Sequence, residues 1–207
     1  MLAKAPVPGR VKTRLTSVFT PVQAAALAES ALRDTLSAVV MARAADRTVF
    51  LDGAPGDWLP PGLRIVPQRG DGLDERLAAA FDDAWAHRPL PMLIIGMDTP
   101  QLTSHILDAC IEALLAPDID AVLGLATDGG WWALGLRRPN PGLLLGVPMS
   151  LATSGRDQLQ RVQDAGLRVA MLPELTDVDT PQDAEDVAAG APGTRFAATL
   201  RSMLRAT

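Results

Sequence analysis

The chain has 207 residues, of which 48% are hydrophobic and 21% charged, with a formal net charge of −5; that is enough to bury one full core and argues against a disordered chain or a general nucleic-acid binder, which would carry a broad basic face. A single cysteine, Cys110, cannot form an internal disulfide, and with only His87 and His105 beside it no thiolate or imidazole zinc cluster is expected, so any metal should be bound by oxygen. No apolar run approaches the roughly 18 residues of a membrane span and no signal pattern opens the chain, which makes the cytoplasm the expected compartment.

In chain order, the opening MLAKAPVPGRVKTRLT gathers Lys4, Arg10, Lys12 and Arg14 with no acid among them. Pro6 and Pro8 fix φ and Gly9 is free to take positive φ, so this loop is partly preorganised. Mutually repelling cations turn into binding energy when an anion such as a diphosphate enters, whereas the plainer alternative is a solvated basic loop. A helix is expected over 21–44, with Pro21 at its first position behind Thr20. Strands follow at 48–51 and 63–66, separated by the surface loop GAPGDWLPPG, and then a helix over 73–87. The apolar run 91–97 reads as a buried strand, followed by a helix over 103–116 capped by Thr103 or Ser104. Strands at 120–126 and 131–136, a turn at RRPNPG, a helix over 155–166, a strand at 167–172, and helices near 181–190 and 194–205 complete the pattern. Such alternation means an α/β fold with a mostly parallel sheet covered on both faces. Only MLA precedes the basic loop where a full first strand is expected, so the first strand is expected to be truncated.

Three segments beyond the loop could carry chemistry. In LIIGMDTPQL the strand ends at Asp98, at the sheet edge where open α/β sheets bind ligands. If Thr103 or Ser104 caps the helix, Asp98 is left free for Mg²⁺, which takes one or two carboxylates plus phosphate oxygens. In TDGGWWALGL, strict alternation puts Trp132, Leu134 and Leu136 on one face and Trp131, Ala133 and Gly135 on the other. Trp132 is assigned to the core, and Trp131 is either a ligand platform or a second core aromatic. Gly129 and Gly130 would let backbone N–H groups approach a ligand, and Asp128 would orient or deprotonate an acceptor hydroxyl, or merely close an Asx-turn. In LTDVDTPQDAEDV an extended backbone puts Asp177 and Asp179 on one side; the alternative is an N-cap cluster with Asp179 or Thr180 ahead of Pro181.

AKAPVPGRVKTRL, GMDTPQL, DGGWWALGL and DVDTPQDAEDV, in this order, resemble the bacterial DUF2064 family, over about residues 2 to 190. That family is grouped with the GT-A type nucleotide-diphospho-sugar transferases and is similar to nucleotidylyltransferases such as phospholactate guanylyltransferase. The resemblance implies a single Rossmann-like three-layer sandwich over 1–190, with 191–207 as a C-terminal packing helix of the same domain. It further implies phosphate contacts from Lys4, Arg10, Lys12 and Arg14 around the Pro8–Gly9 turn, and a Mg²⁺ (or Mn²⁺) site at Asp98 with Asp179 as second ligand. Asp128 would be the catalytic group, and Gly129, Gly130 and Trp131 would line the acceptor side. A shorter match at PQRGDGLDERLAAAF keeps Arg76 but departs at Gly72, Leu73 and Asp74, and tryptophans stand where the family usually has tyrosine.

The leading expectation is a Mg²⁺-dependent glycosyl transfer from a nucleotide-diphospho-sugar to a small acceptor, with positioning and neutralisation of the leaving diphosphate as the catalytic devices. The alternative is nucleotidylyl transfer from an NTP to a phosphorylated metabolite, releasing pyrophosphate, which the four loop cations suit slightly better. A further alternative is a non-catalytic nucleotide or anion-binding protein. The expected partners are a nucleotide or nucleotide-sugar and a small-molecule acceptor, with no nucleic acid, no membrane and a homodimer as the assembly allowed for. Phe196, Leu200 and Leu204 recur at helical spacing and read as the packing face of the last helix.

Overall fold

The computed structural model describes residues 1–205; positions 206 and 207 of the expected C-terminal segment lie outside the described residues. The short first strand exists as β1 (Leu2–Lys4), which pairs in parallel with β2 (Thr48–Asp52), itself parallel to β3 (Arg64–Pro67). Between β1 and β2 runs α1 (Pro21–Met41), whose start is held by a capping box in which Thr20 and Gln23 satisfy each other's backbone N–H groups. After β3 come α2 (Leu73–His87), β4 (Met92–Ile95) and α3 (Ser104–Leu115). The second half holds β5 (Ala121–Leu125), β6 (Trp131–Leu136), α4 (Ser154–Asp164), β7 (Val169–Met171), α5 (Pro181–Gly190) and α6 (Arg195–Arg205). Every expected element is present, within a few residues of its expected limits.

The strands form two hydrogen-bonded sheets among the described residues, ordered β1-β2-β3 and β4-β6-β5-β7. The first is wholly parallel; in the second, β6 runs antiparallel to both neighbours and β5 is parallel to β7. One face packs Leu32 and Leu36 of α1 with Leu107 and Cys110 of α3. The other packs Leu77 and Phe81 of α2 with Val162 of α4. These are the three layers of the expected sandwich.

A third cluster fixes where the chemistry sits. Leu15 and Phe19, at the end of the opening loop, are buried with Leu27 of α1, Val178, Ala184 of α5 and Phe196 of α6. Fully burying a leucine such as Leu15 is worth about 1.5–3 kcal/mol, so this cluster clamps the loop against the 175–180 segment. Phe196 and Leu200 of α6 are buried as expected for a packing face, whereas Leu204 is 46% exposed and lies beyond the contact.

Strict alternation fails along β6. Its pairing with β5 shifts register between Gly124 and Leu125, so that Ala133 faces Gly124, Trp131 faces Leu125 and Trp132 is the extra residue of a bulge. Trp132 and Ala133 therefore share the α1–α3 core, and Trp131 joins Leu134 and Leu136 on the other face. Trp132 is in the core as expected, 1% exposed, with its Nε1–H donating to the Pro173 carbonyl at 2.9 Å. At the bulge a Cβ on Gly124 would lie 2.5 Å from Trp132 Nε1, so the indole uses the space a side chain would fill. The 53–62 loop differs in one respect from a plain surface loop, because Trp58 is buried in the α1–α3 core.

Candidate active site

The opening loop begins with a turn in which Arg10 N–H donates to the Val7 carbonyl at 3.0 Å, with Pro8 second and Gly9 third at φ +76°. Proline at the second position and positive φ at the third make a type II turn, which a side chain in place of Gly9 would strain. Lys12 then adopts the left-handed conformation (φ 47°, ψ 42°), unusual for a residue with a Cβ, and leads into a short 3₁₀ turn at Thr13–Ser17. Burial of Leu15 in this turn brings Lys12 and Arg14 over the sheet edge.

There they meet acids from distant parts of the chain. Lys12 Nζ lies 2.8 Å from Asp98 Oδ1 with its side chain only 7% exposed, and Arg14 pairs with Asp179. The Lys12 contact misses hydrogen-bond geometry, which leaves the buried Asp98 Oδ1 compensated by charge rather than by a directed donor. Lys4 Nζ is 4.0 Å from Asp52, which Arg76 also holds at 3.1 Å. The loop is thus free of acids in sequence and surrounded by them in space; of its cations, only Arg10 makes no ion pair among the described residues.

The carboxylates are held by backbone. Thr103 caps α3 through its hydroxyl to Ile106 N–H at 3.2 Å, so Asp98 has no capping duty. Val178 N–H donates to the Asp98 carbonyl at 2.9 Å, and Gln101 Nε2 donates to the Thr176 carbonyl at 2.7 Å, which stitches the 98–101 loop to the 176–179 segment. With Val178 buried, Asp177 and Asp179 alternate away from it; Asp177 feels the charge of Asp98, and Asp179 pairs with Arg14. Thr180, not Asp179, caps α5. Asp177 is the residue the motif-based reading left out of its site. Burial, then Asp98, and then Asp128 and Asp179 push its pKa up to about 7, with Lys12 opposing. The signal for it was the Asp-x-Asp alternation itself.

Asp128 is exposed and closes an Asx-turn, accepting from Gly130 N–H at 2.8 Å. Gly129 N–H donates to the Ala126 carbonyl at 3.0 Å, so the N–H groups of both glycines are spent inside the turn, contrary to the expectation that they reach a ligand. The glycines serve close packing instead: Gly129 has φ +87° with Ala152 O 2.0 Å from where a Cβ would stand, and Gly155 N–H donates to the Gly129 carbonyl at 2.9 Å. The hairpin tip thereby abuts the start of α4. Trp131 is half-buried against the α2–α4 core, so the reading as a second core aromatic accounts for much of its surface.

As a metal site, Asp98 and Asp179 offer oxygen donors of the kind Mg²⁺ accepts, and Asp98 Oδ1, which has no hydrogen-bond donor and is met only by the Lys12 ammonium, fits a cation. Among the described residues no three acidic, histidine or cysteine side chains are grouped so that they could hold a metal ion, so phosphate oxygens would have to supply most of the shell. A cavity of about 310 Å³ lies at the opposite ends of the strands, lined by Met1, Thr48, Met92 and Leu114, and includes none of the site's carboxylates.

A mixed sandwich with cations and carboxylates converging at a strand-end edge defines an enzyme of the GT-A superfamily, a glycosyltransferase or nucleotidylyltransferase. Residues 26–151 match the family model DUF2064, described as an uncharacterized protein conserved in bacteria, and the chain belongs to this family. It is 31% identical to the 3-phospho-D-glycerate guanylyltransferase of Phenylobacterium zucineum, over 93% of this chain and 90% of the relative. It is 30% identical to the phosphoenolpyruvate guanylyltransferase of Sphaerobacter thermophilus, over 87% of this chain and 88% of the relative. A crystal structure from Desulfovibrio desulfuricans G20, assigned as a nucleotide-diphospho-sugar transferase, superposes with a TM-score of 0.88 at 26% identity, covering 97% of this chain and 92% of that one. No helix among the described residues is long and apolar enough to cross a membrane.

Proposed function

We propose that the protein is a nucleotidylyltransferase that joins a nucleoside monophosphate, most favourably GMP from GTP, to a phosphorylated hydroxy acid. This replaces glycosyl transfer, the leading expectation from sequence, by its alternative, because relatives similar over nearly their whole length are guanylyltransferases. The observation that carries it is the convergence of Lys12 and Arg14 with Asp98 and Asp179, cations for phosphates beside carboxylates for a metal at the strand ends.

In this reading an oxygen of the acceptor's phosphate attacks the α-phosphorus of the NTP, the bond from that phosphorus to the α,β-bridging oxygen breaks, and pyrophosphate leaves. Lys12, Arg14 and Arg10 bind the triphosphate, and Lys4 lies at the head of the same loop. Asp98 and Asp179 would hold Mg²⁺ (or Mn²⁺) together with phosphate oxygens, and the ion would supply Lewis-acid neutralisation of charge on the phosphates. Asp177 stands beside that pair and adds to its negative field. The residues' work is alignment and electrostatic stabilisation of a charge that develops on the leaving group. Asp128, already engaged in its turn, orients the hairpin that borders the acceptor side, with Gly129, Gly130 and Trp131.

The test is pyrophosphate release with Mg²⁺ and each NTP in the presence of phosphoenolpyruvate, 3-phosphoglycerate or other phosphorylated hydroxy acids. Release with GTP and one of these acceptors, lost in Asp98→Asn, is expected. Nucleoside-diphosphate release from a nucleotide-sugar, with no pyrophosphate from any NTP, would restore glycosyl transfer.

A further inference from the structure

We propose that the Lys12–Asp98 and Arg14–Asp179 pairs are an exchange device, in which each cation holds the place of a metal on its carboxylate and each carboxylate holds the place of a phosphate on its cation. The inference rests on the nucleotidylyltransferase reading and adds to it a rule for how the ligands enter.

The argument is one of competing partners. Lys12 is nearly buried and committed to Asp98, and among the described residues it is also the one cation that opposes the charge of Asp177. A divalent ion alone would have to displace Lys12 and leave that ammonium unpaired in a poorly solvated place. A triphosphate alone would have to draw Lys12 off Asp98 and leave a half-buried carboxylate, its Oδ1 shielded from water, beside Asp177 without its counter-charge. Breaking one side of a buried pair is strongly unfavourable, whereas exchanging both partners at once keeps every charge matched. Metal and triphosphate therefore favour each other's binding, and the coupling acts equally in both directions. The Arg14 pair contributes less, since its guanidinium is 70% exposed and water screens it. Lys12 is also in the left-handed backbone region, a sparsely populated state that the surrounding structure must hold. Release from Asp98 gives its side chain freedom to follow a phosphate.

Two binding measurements, neither depending on turnover, test the device. The first titrates Mn²⁺ alone, followed by loss of its aqueous paramagnetic resonance signal, into wild type and Lys12→Met. The second titrates inorganic tripolyphosphate in EDTA into wild type and the near-isosteric Asp98→Asn. Exchange predicts that Lys12→Met binds Mn²⁺ about tenfold more tightly than wild type, and that Asp98→Asn binds metal-free tripolyphosphate about tenfold more tightly, the factor near the low end for a single bond to a charged group. Unchanged or weaker affinity in Asp98→Asn would overturn the exchange while leaving the phosphate site intact. Absence of tripolyphosphate binding to either protein would remove the site reading and the exchange with it. Should Lys12→Met fold poorly, Arg14→Gln repeats the Mn²⁺ arm, with a smaller gain expected and no gain counting against the device.

Discussion

The indole of Trp132 stands where a side chain at position 124 would be: a Cβ on Gly124 would fall 2.5 Å from Nε1 and 2.6 Å from Cε2. Both partners are rigid there, since the indole is anchored through Nε1–H to the Pro173 carbonyl at 2.9 Å. Gly124→Ala should therefore cost about 1–3 kcal/mol in overpacking, or expel the indole from its hydrogen bond. Urea unfolding reads the first outcome. A changed tryptophan emission spectrum reads the second.

That pair also marks the boundary of what sequence could reveal. Element order and type were legible because hydrophobic periodicity and caps such as Thr20–Pro21 and Thr180–Pro181 are local signals. Asp98 could be located for the same reason, at the end of an apolar run. The bulge was not legible, because it depends on the match between an indole on β6 and a missing side chain on β5. Nor were the acids facing the loop: Asp98 and Asp179 reach Lys12 and Arg14 only because Leu15 and Val178 share a buried cluster, a long-range packing fact. The free amides expected at Gly129 and Gly130 failed for a local reason, since a tight turn uses its own N–H groups first.

Asp177 makes stability depend on pH. Its folded pKa of about 7 lies above the ordinary aspartate value of 3.8, so the native state holds its proton more tightly than the unfolded chain. Stability is then highest at and below the unfolded pKa, falls as pH rises from about 4 to about 7, and levels off above that. The loss is on the order of a few kcal/mol. Asp177→Asn should abolish this slope and be the more stable protein at pH 8. Urea midpoints of the two proteins between pH 5 and 8 check it; parallel curves would mean that Asp177 ionises normally.

At the hairpin tip, geometry separates fold from chemistry. Gly129→Ala places a Cβ 2.0 Å from Ala152 O at positive φ, and should cost more than about 2 kcal/mol. Asp128→Asn keeps the side-chain oxygen that accepts from Gly130 N–H, so stability should stay within about 0.5 kcal/mol of wild type. Any fall in turnover with unchanged melting temperature then belongs to the lost charge of Asp128. A variant with full turnover would confine Asp128 to its turn.

The loop cations should divide into two kinds. Arg10 is exposed and makes no ion pair among the described residues, so Arg10→Ala should leave the melting temperature unchanged and weaken nucleotide binding by about 1–3 kcal/mol, the worth of a charged hydrogen bond to phosphate. Lys12 differs, because it already serves the ligand-free fold. Lys12→Ala removes the one cation among the described residues that offsets Asp98 and Asp177, and truncating one partner of a buried pair costs about 3–5 kcal/mol. Asp98 is 34% exposed, so water recovers part of that cost and about 1–3 kcal/mol is expected here. The loss should be greatest above pH 7, where Asp177 is ionised, and should shrink toward pH 5 as its carboxyl takes up a proton. Calorimetric melting of both variants at pH 5.5 and 8 provides the measurement. Equal melting temperatures for Lys12→Ala and Arg10→Ala at pH 8 would mean that the Lys12–Asp98 contact contributes nothing to the folded state.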